Sequence, residues 1–272
     1  MRPLLVFCAG AGSDANEEHL VSAATAVELV HMATLVHDDL IDGATMRRGL
    51  PTIVDSRGAE AAIQTGDFLF ACAFAELTRT GSPPAVRALA QAALALSQGE
   101  MDQQRAAFDL SLGEDAYIER CRRKTAALFA VACRLGAVVT GASPEATERL
   151  TAFGENVGLA FQIFDDILDL AGAPATTGKR RGADLRDGTV TLPVILALGI
   201  EPRLAREVEA ARAGSDLEAL CDRLAQHRGL ELARTRALEF VAAARDSLDG
   251  DIGGADGVAM LAVADAVVDR YQ

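Results

Sequence analysis

Two groups of aspartates dominate the chemistry this sequence can offer. Asp38, Asp39 and Asp42 sit in HDDLID (37–42), and Asp165, Asp166 and Asp169 in FDDILD (164–169). Residues four apart on a helix share a face, so Asp38 and Asp42 point the same way. Like charges at that spacing destabilise an isolated helix by roughly 0.2–0.5 kcal/mol, and the negative end of the helix dipole adds to that cost. The residues leading into each group are apolar, for example Val30, Ala33 and Val36 before the first and Leu159, Ile163 and Phe164 before the second. A single acidic cluster on a helix is ordinarily a solvated face. The same cluster twice, each time at the end of an apolar helix, points to a compensating cation at the rim of a cavity. An all-oxygen carboxylate set suits hard Mg²⁺, which keeps several waters and shares phosphate oxygens with a substrate.

The basic residues fit that reading. Arg47 and Arg48 follow the first group, and Lys124, Lys179 and Arg180 flank the second. Arginine forks match phosphate oxygens in pairs, and lysine acts as a point charge. Two aspartate groups with such cations describe a site that clamps a diphosphate and draws it off as a leaving group, while apolar helix walls keep water from a carbocation.

These motifs also carry a family resemblance. VELVHMATLVHDDLIDGATMRRGLPT (27–52) resembles the first aspartate-rich region of the trans-isoprenyl (polyprenyl) diphosphate synthases. GLAFQIFDDILDLAGAPATTGKRRGADLRDGTVTLP (158–193) resembles the second, and GDFLF (66–70), GE (99–100) and KT (124–125) fall where that family has GDxLL, GE and KT. The resemblance covers almost the whole chain in the right order. It implies an all-α fold, a single large helical bundle around a central cavity over residues 1–272, with the two aspartate groups facing each other across its mouth. The implied reaction condenses isopentenyl diphosphate with an allylic diphosphate to a longer all-trans polyprenyl diphosphate. Asp38 and Asp42 would carry metal ions, with Asp39 nearby; Asp165 would carry another, supported by Asp166 and Asp169. Arg47, Lys124, Thr125, Gln162 and Lys179 would hold the allylic diphosphate, and Arg2, His31 and Arg48 the isopentenyl diphosphate. Asp38, Asp42, Arg47, Lys124, Asp165 and Lys179 form the implied catalytic set. The implied cofactor is Mg²⁺, three ions to a site, with Mn²⁺ as the alternative, and the implied assembly is a homodimer. Small Ala33 and Thr34, five and four residues before Asp38, leave a tunnel open beside that helix, which favours a medium- or long-chain product. The family's GGKRxRP has only Arg2-Pro3 as counterpart here, and its preceding N-terminal helix has none.

Read without the family, His31 is a core histidine, Gln162 a buried hydrogen-bonding group and Thr125 a packed helix residue. Asp67 and Glu100 read as structural partners in either case. Two other functions share the motifs: a terpene cyclase, which ionises a diphosphate but adds no isopentenyl unit, and a non-catalytic partner subunit of another synthase. Aromatic residues make up only 4% of the chain, too few for the aromatic lining usual in a cyclase cavity, and both aspartate groups are intact.

The elements that must position these residues are helices. Half the chain is apolar, Trp is absent, and Ala and Leu abound, a composition of strong helix formers. Periodicity predicts helices over about 16–41, 60–79, 84–107 and 115–135, then one from Ser143-Pro144 to about 170, with Ser as N-cap and Pro in the first turn. A loop is predicted at 43–51 and another at 171–188, and Pro193 sits in the first turns of the next helix. Four shorter helices complete the chain, and no strand is predicted. A net charge of −13 argues against nucleic acid, whose phosphates such a surface repels. Five scattered cysteines without a CxxC pair read as buried thiols in a reducing compartment. No run long and apolar enough to span a bilayer is predicted, and a cytoplasmic location is expected.

Overall fold

The computed structural model describes residues 1–12, 16–172, 181–214 and 216–269, and among these nearly all regular structure is helical. In chain order the elements begin α1 (Arg2–Ala9), α2 (Glu17–Ile41), β1 (Met46–Arg47), β2 (Leu50–Pro51), α3 (Ile53–Arg57) and α4 (Ala59–Thr78). Then come α5 (Pro83–Arg105), α6 (Glu114–Cys121), a π-helical turn (Arg122–Ala126), α7 (Ala127–Val139) and α8 (Pro144–Ala171). The last are α9 (Ala183–Asp187), α10 (Leu192–Ile200), α11 (Leu204–Arg212), α12 (Leu217–Ala225), α13 (Arg228–Ser247) and α14 (Gly257–Asp269). Contacts divide the chain into two units: Met1–Leu94 with Leu128–Gly154 and Ser247–Val263, and Ala95–Ala127 with Glu155–Asp246 and Ala264–Gln272.

In the first unit, α2 starts where its cap dictates. The Asn16 side chain accepts from the amides of Glu18 and His19 at 3.0 and 3.3 Å, and Glu17 and Glu18 place acid at the positive end of the helix. One side of α2 is buried at Ala23, Ala26, Val27, Val30 and Ala33. It packs along α4 and against α1. α2 has 25 residues, and an 18-residue stretch of it reaches a mean hydropathy of 1.4, long and apolar enough to cross a membrane by length and composition alone. This corrects the expectation that no such run exists: small alanines, chosen for close packing, lift the hydropathy of a core helix as well. Ala33 is another correction. It has no solvent exposure at all, so it is a packing position rather than a tunnel wall. Thr34 is half-buried, and its hydroxyl donates to the carbonyl of His31 at 2.9 Å.

The loop expected at 43–51 closes as a small antiparallel hairpin, with Met46 opposite Pro51 and Arg47 opposite Leu50. Its turn residues, Arg48 and Gly49, both have positive φ, 51° and 79°. That pair of left-handed residues fits the right-handed twist of two strands. Thr52 then caps α3, its hydroxyl accepting from the Asp55 amide at 3.2 Å. Ser143 caps α8 as expected, accepting from the Ala146 amide at 3.1 Å.

The second unit holds the π-helical turn between α6 and α7, where a continuous helix was expected. Arg120, on α6, is buried and donates to the carbonyl of Val190, just before α10, at 2.8 Å. All five cysteines are free, four of them buried.

Gly136 on α7 tests the packing of α1. A Cβ there would lie 2.2 Å from the Val6 carbonyl oxygen and 3.0 Å from the Ala9 side chain. Ala in place of Gly gains about 0.8–1.0 kcal/mol of helix propensity. Overpacking against a backbone atom costs about 1–3 kcal/mol. The clash is with main chain, so the second effect wins: Gly136→Ala is expected to lower stability by about 1–2 kcal/mol in urea unfolding. A stabilised variant would show that α1 moves freely on α7.

Candidate active site

The first unit collects one set of expected residues. Asp38 is half-buried, Asp39 buried and Asp42 exposed at the end of α2, whose last turn is closed by the Asp42 amide on the Asp38 carbonyl at 2.8 Å. Asp39 is turned into the protein. Arg47, presented by the hairpin, meets its Oδ1 through Nε at 2.8 Å and through Nη2 at 2.7 Å. The middle aspartate is thus committed to an ion pair with Arg47.

Arg2 and His31, both expected at the isopentenyl diphosphate, lie side by side. The Arg2 guanidinium lies 4.4 Å from the centre of the Phe129 ring, and its Nη1 is 3.2 Å from His31 Nε2. A guanidinium only donates, so Nε2 must accept and the imidazole carries its proton on Nδ1. Burial pulls the His31 pKa down to about 4, and the charges of Arg2, Arg48 and Arg47 push the same way. Burial also lowers Arg2, to about 10, which leaves it charged at neutral pH. The result is a positively charged corner built from Arg2, Arg47 and Arg48 around a neutral His31, suited to an anion with several oxygens.

The second unit gathers another set around Asp166. This carboxylate is 3% exposed. Its Oδ2 accepts from the Tyr117 hydroxyl at 2.6 Å, and its Oδ1 from Gln162 Nε2 at 2.7 Å. Gln162 Oε1 in turn accepts from the Thr125 hydroxyl at 2.6 Å. Burial pushes the Asp166 carboxyl up to about 7, and the two donors offset only part of that rise. Tyr117 is raised far above its ordinary value by burial and by Asp166, so it keeps its proton and donates. Asp165 is half-buried. The Asp169 carboxylate accepts from the amides of Ala183 and Asp184 at 3.1 and 3.3 Å, capping α9.

The π-helical turn sets Lys124 and Thr125. Gly99 lies so close that a Cβ on it would be 2.5 Å from the Lys124 amide nitrogen. Lys124 Nζ pairs with Glu100 Oε2 at 2.5 Å, and His37 Nε2 stands 3.6 Å from Asp67 Oδ1. These are the structural partnerships expected of Glu100 and Asp67. Lys179 and Arg180 lie outside the described residues. Tyr117 and Arg120 were not foreseen. Their signal was present, since Tyr117, Arg120 and Lys124 recur at near-helical spacing.

Among the described residues, no three of His, Cys, Asp and Glu are placed together as a ready metal site. Asp39, Asp166 and Asp169 already serve protein donors. Asp38, Asp42 and Asp165 fit Mg²⁺ in another way, as one or two carboxylates that share an ion with phosphate oxygens and water.

The family model described as polyprenyl synthetase matches residues 1–220. The chain belongs to that family. The chain is 42% identical over 201 residues to a heptaprenyl diphosphate synthase component 2 of Geobacillus stearothermophilus, covering 74% of this chain and 63% of the relative. It is 33% identical over 254 residues to an octaprenyl diphosphate synthase of Haemophilus influenzae, covering 92% of this chain and 77% of the relative. Among solved structures, a Caulobacter crescentus polyprenyl synthase complexed with calcium and isoprenyl diphosphate superposes with a TM-score of 0.91 at 36% identity. That match covers all of this chain and 84% of the other. The fold is therefore the all-α isoprenoid synthase fold.

The neutral His31 has a pH signature. A histidine whose folded pKa lies below its unfolded value of about 6.5 contributes stability above that pH and loses it as pH falls towards about 4. The parent should lose more melting temperature between pH 6.5 and 4 than His31→Leu does, measured by calorimetry. Parallel curves would show that His31 is not held neutral.

Proposed function

We propose that this chain is a prenyltransferase that condenses isopentenyl diphosphate with an allylic diphosphate to a medium- or long-chain all-trans polyprenyl diphosphate. The observation that carries this reading is the arrangement around each aspartate group. The middle carboxylate is held by the protein's own donors, Arg47 for Asp39 and Tyr117 with Gln162 for Asp166. Asp38, Asp42 and Asp165, half-buried or exposed, are the carboxylates proposed as metal ligands. Arg2, His31 and Arg48 suit isopentenyl diphosphate, and Arg47, Lys124, Thr125 and Gln162, with Lys179, suit the allylic diphosphate. Relatives named for heptaprenyl and octaprenyl products support the chain length.

Asp38, Asp42 and Asp165 would hold Mg²⁺ together with the diphosphate. Bound there, the metal supplies positive charge to the departing diphosphate. A solved relative that holds a divalent cation and isoprenyl diphosphate together supports this. The chain's own residues orient the two diphosphates and keep the reacting ends apart from water. No side chain is nominated as base, because the diphosphate oxygens can take the proton lost in the last step. The five free thiols support a cytoplasmic setting. The partner proposed is a second copy of the chain, since twofold assemblies are the commonest oligomers; light scattering should give twice the 28.5 kDa chain mass. A chain-mass value would point instead to a different second component.

The deciding assay supplies labelled isopentenyl diphosphate, an allylic primer and Mg²⁺. Chain-extended diphosphates support the reading; a cyclised hydrocarbon would make the chain a cyclase, and no product a partner subunit. Asp38→Ala and Asp165→Ala should each lower kcat on the order of 10²–10³-fold, with helicity by circular dichroism unchanged. EDTA should abolish turnover, and near-normal activity in its presence would refute the metal's role.

A further inference from the structure

The reading above uses Thr125 and Gln162 but gives no role to Tyr117, one of the largest side chains that the protein buries completely. Its hydroxyl begins a directed chain of hydrogen bonds. Tyr117 donates to Asp166 Oδ2 at 2.6 Å. Asp166 Oδ1 accepts from Gln162 Nε2 at 2.7 Å, which fixes which end of the amide faces the carboxylate. The amide oxygen must then face Thr125, and it accepts the threonine proton at 2.6 Å. Each link has only one workable polarity, because a carboxylate accepts and a carboxamide donates from nitrogen alone.

We propose that Tyr117 is a positioning residue for the allylic diphosphate, acting through Asp166 and Gln162 on Thr125. This rests on the synthase reading. With the hydroxyl in place, Asp166 is satisfied on both oxygens and Gln162 is held in one orientation. Its second amide hydrogen and the Thr125 oxygen lone pairs are then left for whatever binds beside them. Without the hydroxyl, Asp166 Oδ2 loses a donor at a carboxylate that is 3% exposed. Gln162 becomes the remaining side-chain donor to that carboxylate in this chain of bonds, and its amide is drawn across towards the vacated oxygen. Thr125 then loses its acceptor. Tyr117 does not touch substrate, so its effect must arrive through the two residues that do.

The neighbours of Tyr117 agree with a positioning role. Arg120, one helical turn on, lies 5.3 Å from its ring centre and is anchored on the Val190 carbonyl. The π-helical turn at Arg122–Ala126 starts two residues after Arg120 and contains Thr125, so this irregular turn sets the angle between the phenol and the threonine it governs.

The test is Tyr117→Phe, which removes one oxygen and keeps the ring. The parent enzyme is run first with isopentenyl diphosphate, primer and Mg²⁺; no condensation there would remove the synthase reading itself. With an active parent, Tyr117→Phe should lower kcat/KM for the allylic diphosphate by about tenfold, as expected for a lost hydrogen bond to a charged group, and leave KM for isopentenyl diphosphate unchanged. In a Gln162→Ala background the same change should cost less than about twofold, because the path is already cut. Equal losses in both backgrounds, or a parallel rise in both KM values, would overturn the proposal, as would a fully active variant. If Tyr117→Phe does not fold, the sequence offers a second route, since it contains only two tyrosines. Enzyme carrying Tyr271→Phe and made with 3-fluorotyrosine reports on residue 117 alone. Its fluorine resonance should shift when Mg²⁺ and an unreactive thiolodiphosphate analogue of the allylic substrate are added, and an unmoved resonance would count against the relay.

Discussion

A carboxylate withdrawn from water needs donors, or it becomes one of the most costly groups a protein can hold. This chain buries two, Asp39 and Asp166, each in the middle of an aspartate group. Much of the local architecture can be read as the supply of donors to them. The hairpin after α2 brings Arg47 back onto Asp39. In the other unit, α6 delivers Tyr117 and α8 delivers Gln162 to Asp166. Once the middle carboxylate is turned inward and tied, helix geometry leaves the first aspartate of each group on a different side. Burial of one carboxylate thus sets the aim of its neighbour, and neither group works as three equivalent ligands.

The same economy shapes the cations. Arg2 is held over Phe129, and His31 is kept neutral by burial and by positive charge, so it accepts from Arg2 instead of repelling it. A neutral imidazole among arginines removes one like-charge repulsion from a crowded positive corner. Arg48 sits in the left-handed region, which costs an ordinary residue roughly 1–2 kcal/mol. The hairpin twist imposes that conformation, and the side chain that bears it is a cation rather than the usual asparagine or glycine.

Much of this was legible in the residues. The cap at Ser143 marks the start of the second aspartate-bearing helix, because a side-chain acceptor before an apolar repeat has few other uses. Paired carboxylates on one face marked the ends of α2 and α8 as the candidate site. The hairpin was hidden, since MRRGLP lacks strand alternation and Arg-Gly is an unusual choice for its turn. The division of labour within each group was hidden too: Asp38 and Asp39 are adjacent and alike in sequence, and only tertiary donors distinguish them. Ala33 misled for a related reason. A small residue near a site leaves space only if nothing else fills it, and here neighbouring packing does. α2 reads as a possible bilayer span by the same logic, because close helix packing and lipid both favour small apolar residues.

The π-helical turn was invisible for a different reason: it depends on chain count rather than on composition. A regular α-helix advances about 100° per residue, and a π turn spends one residue more than the α-helix needs. The stretch Arg122–Ala126 therefore acts as a spacer that sets the angular phase between Tyr117 and everything after it. Gly99, with no Cβ, is what allows the widened turn to lie against α5. A chain one residue shorter here would gain a smoother helix, yet its Lys124 and Thr125 would face a different direction. Length itself is under constraint at this point, and side-chain identity only secondarily.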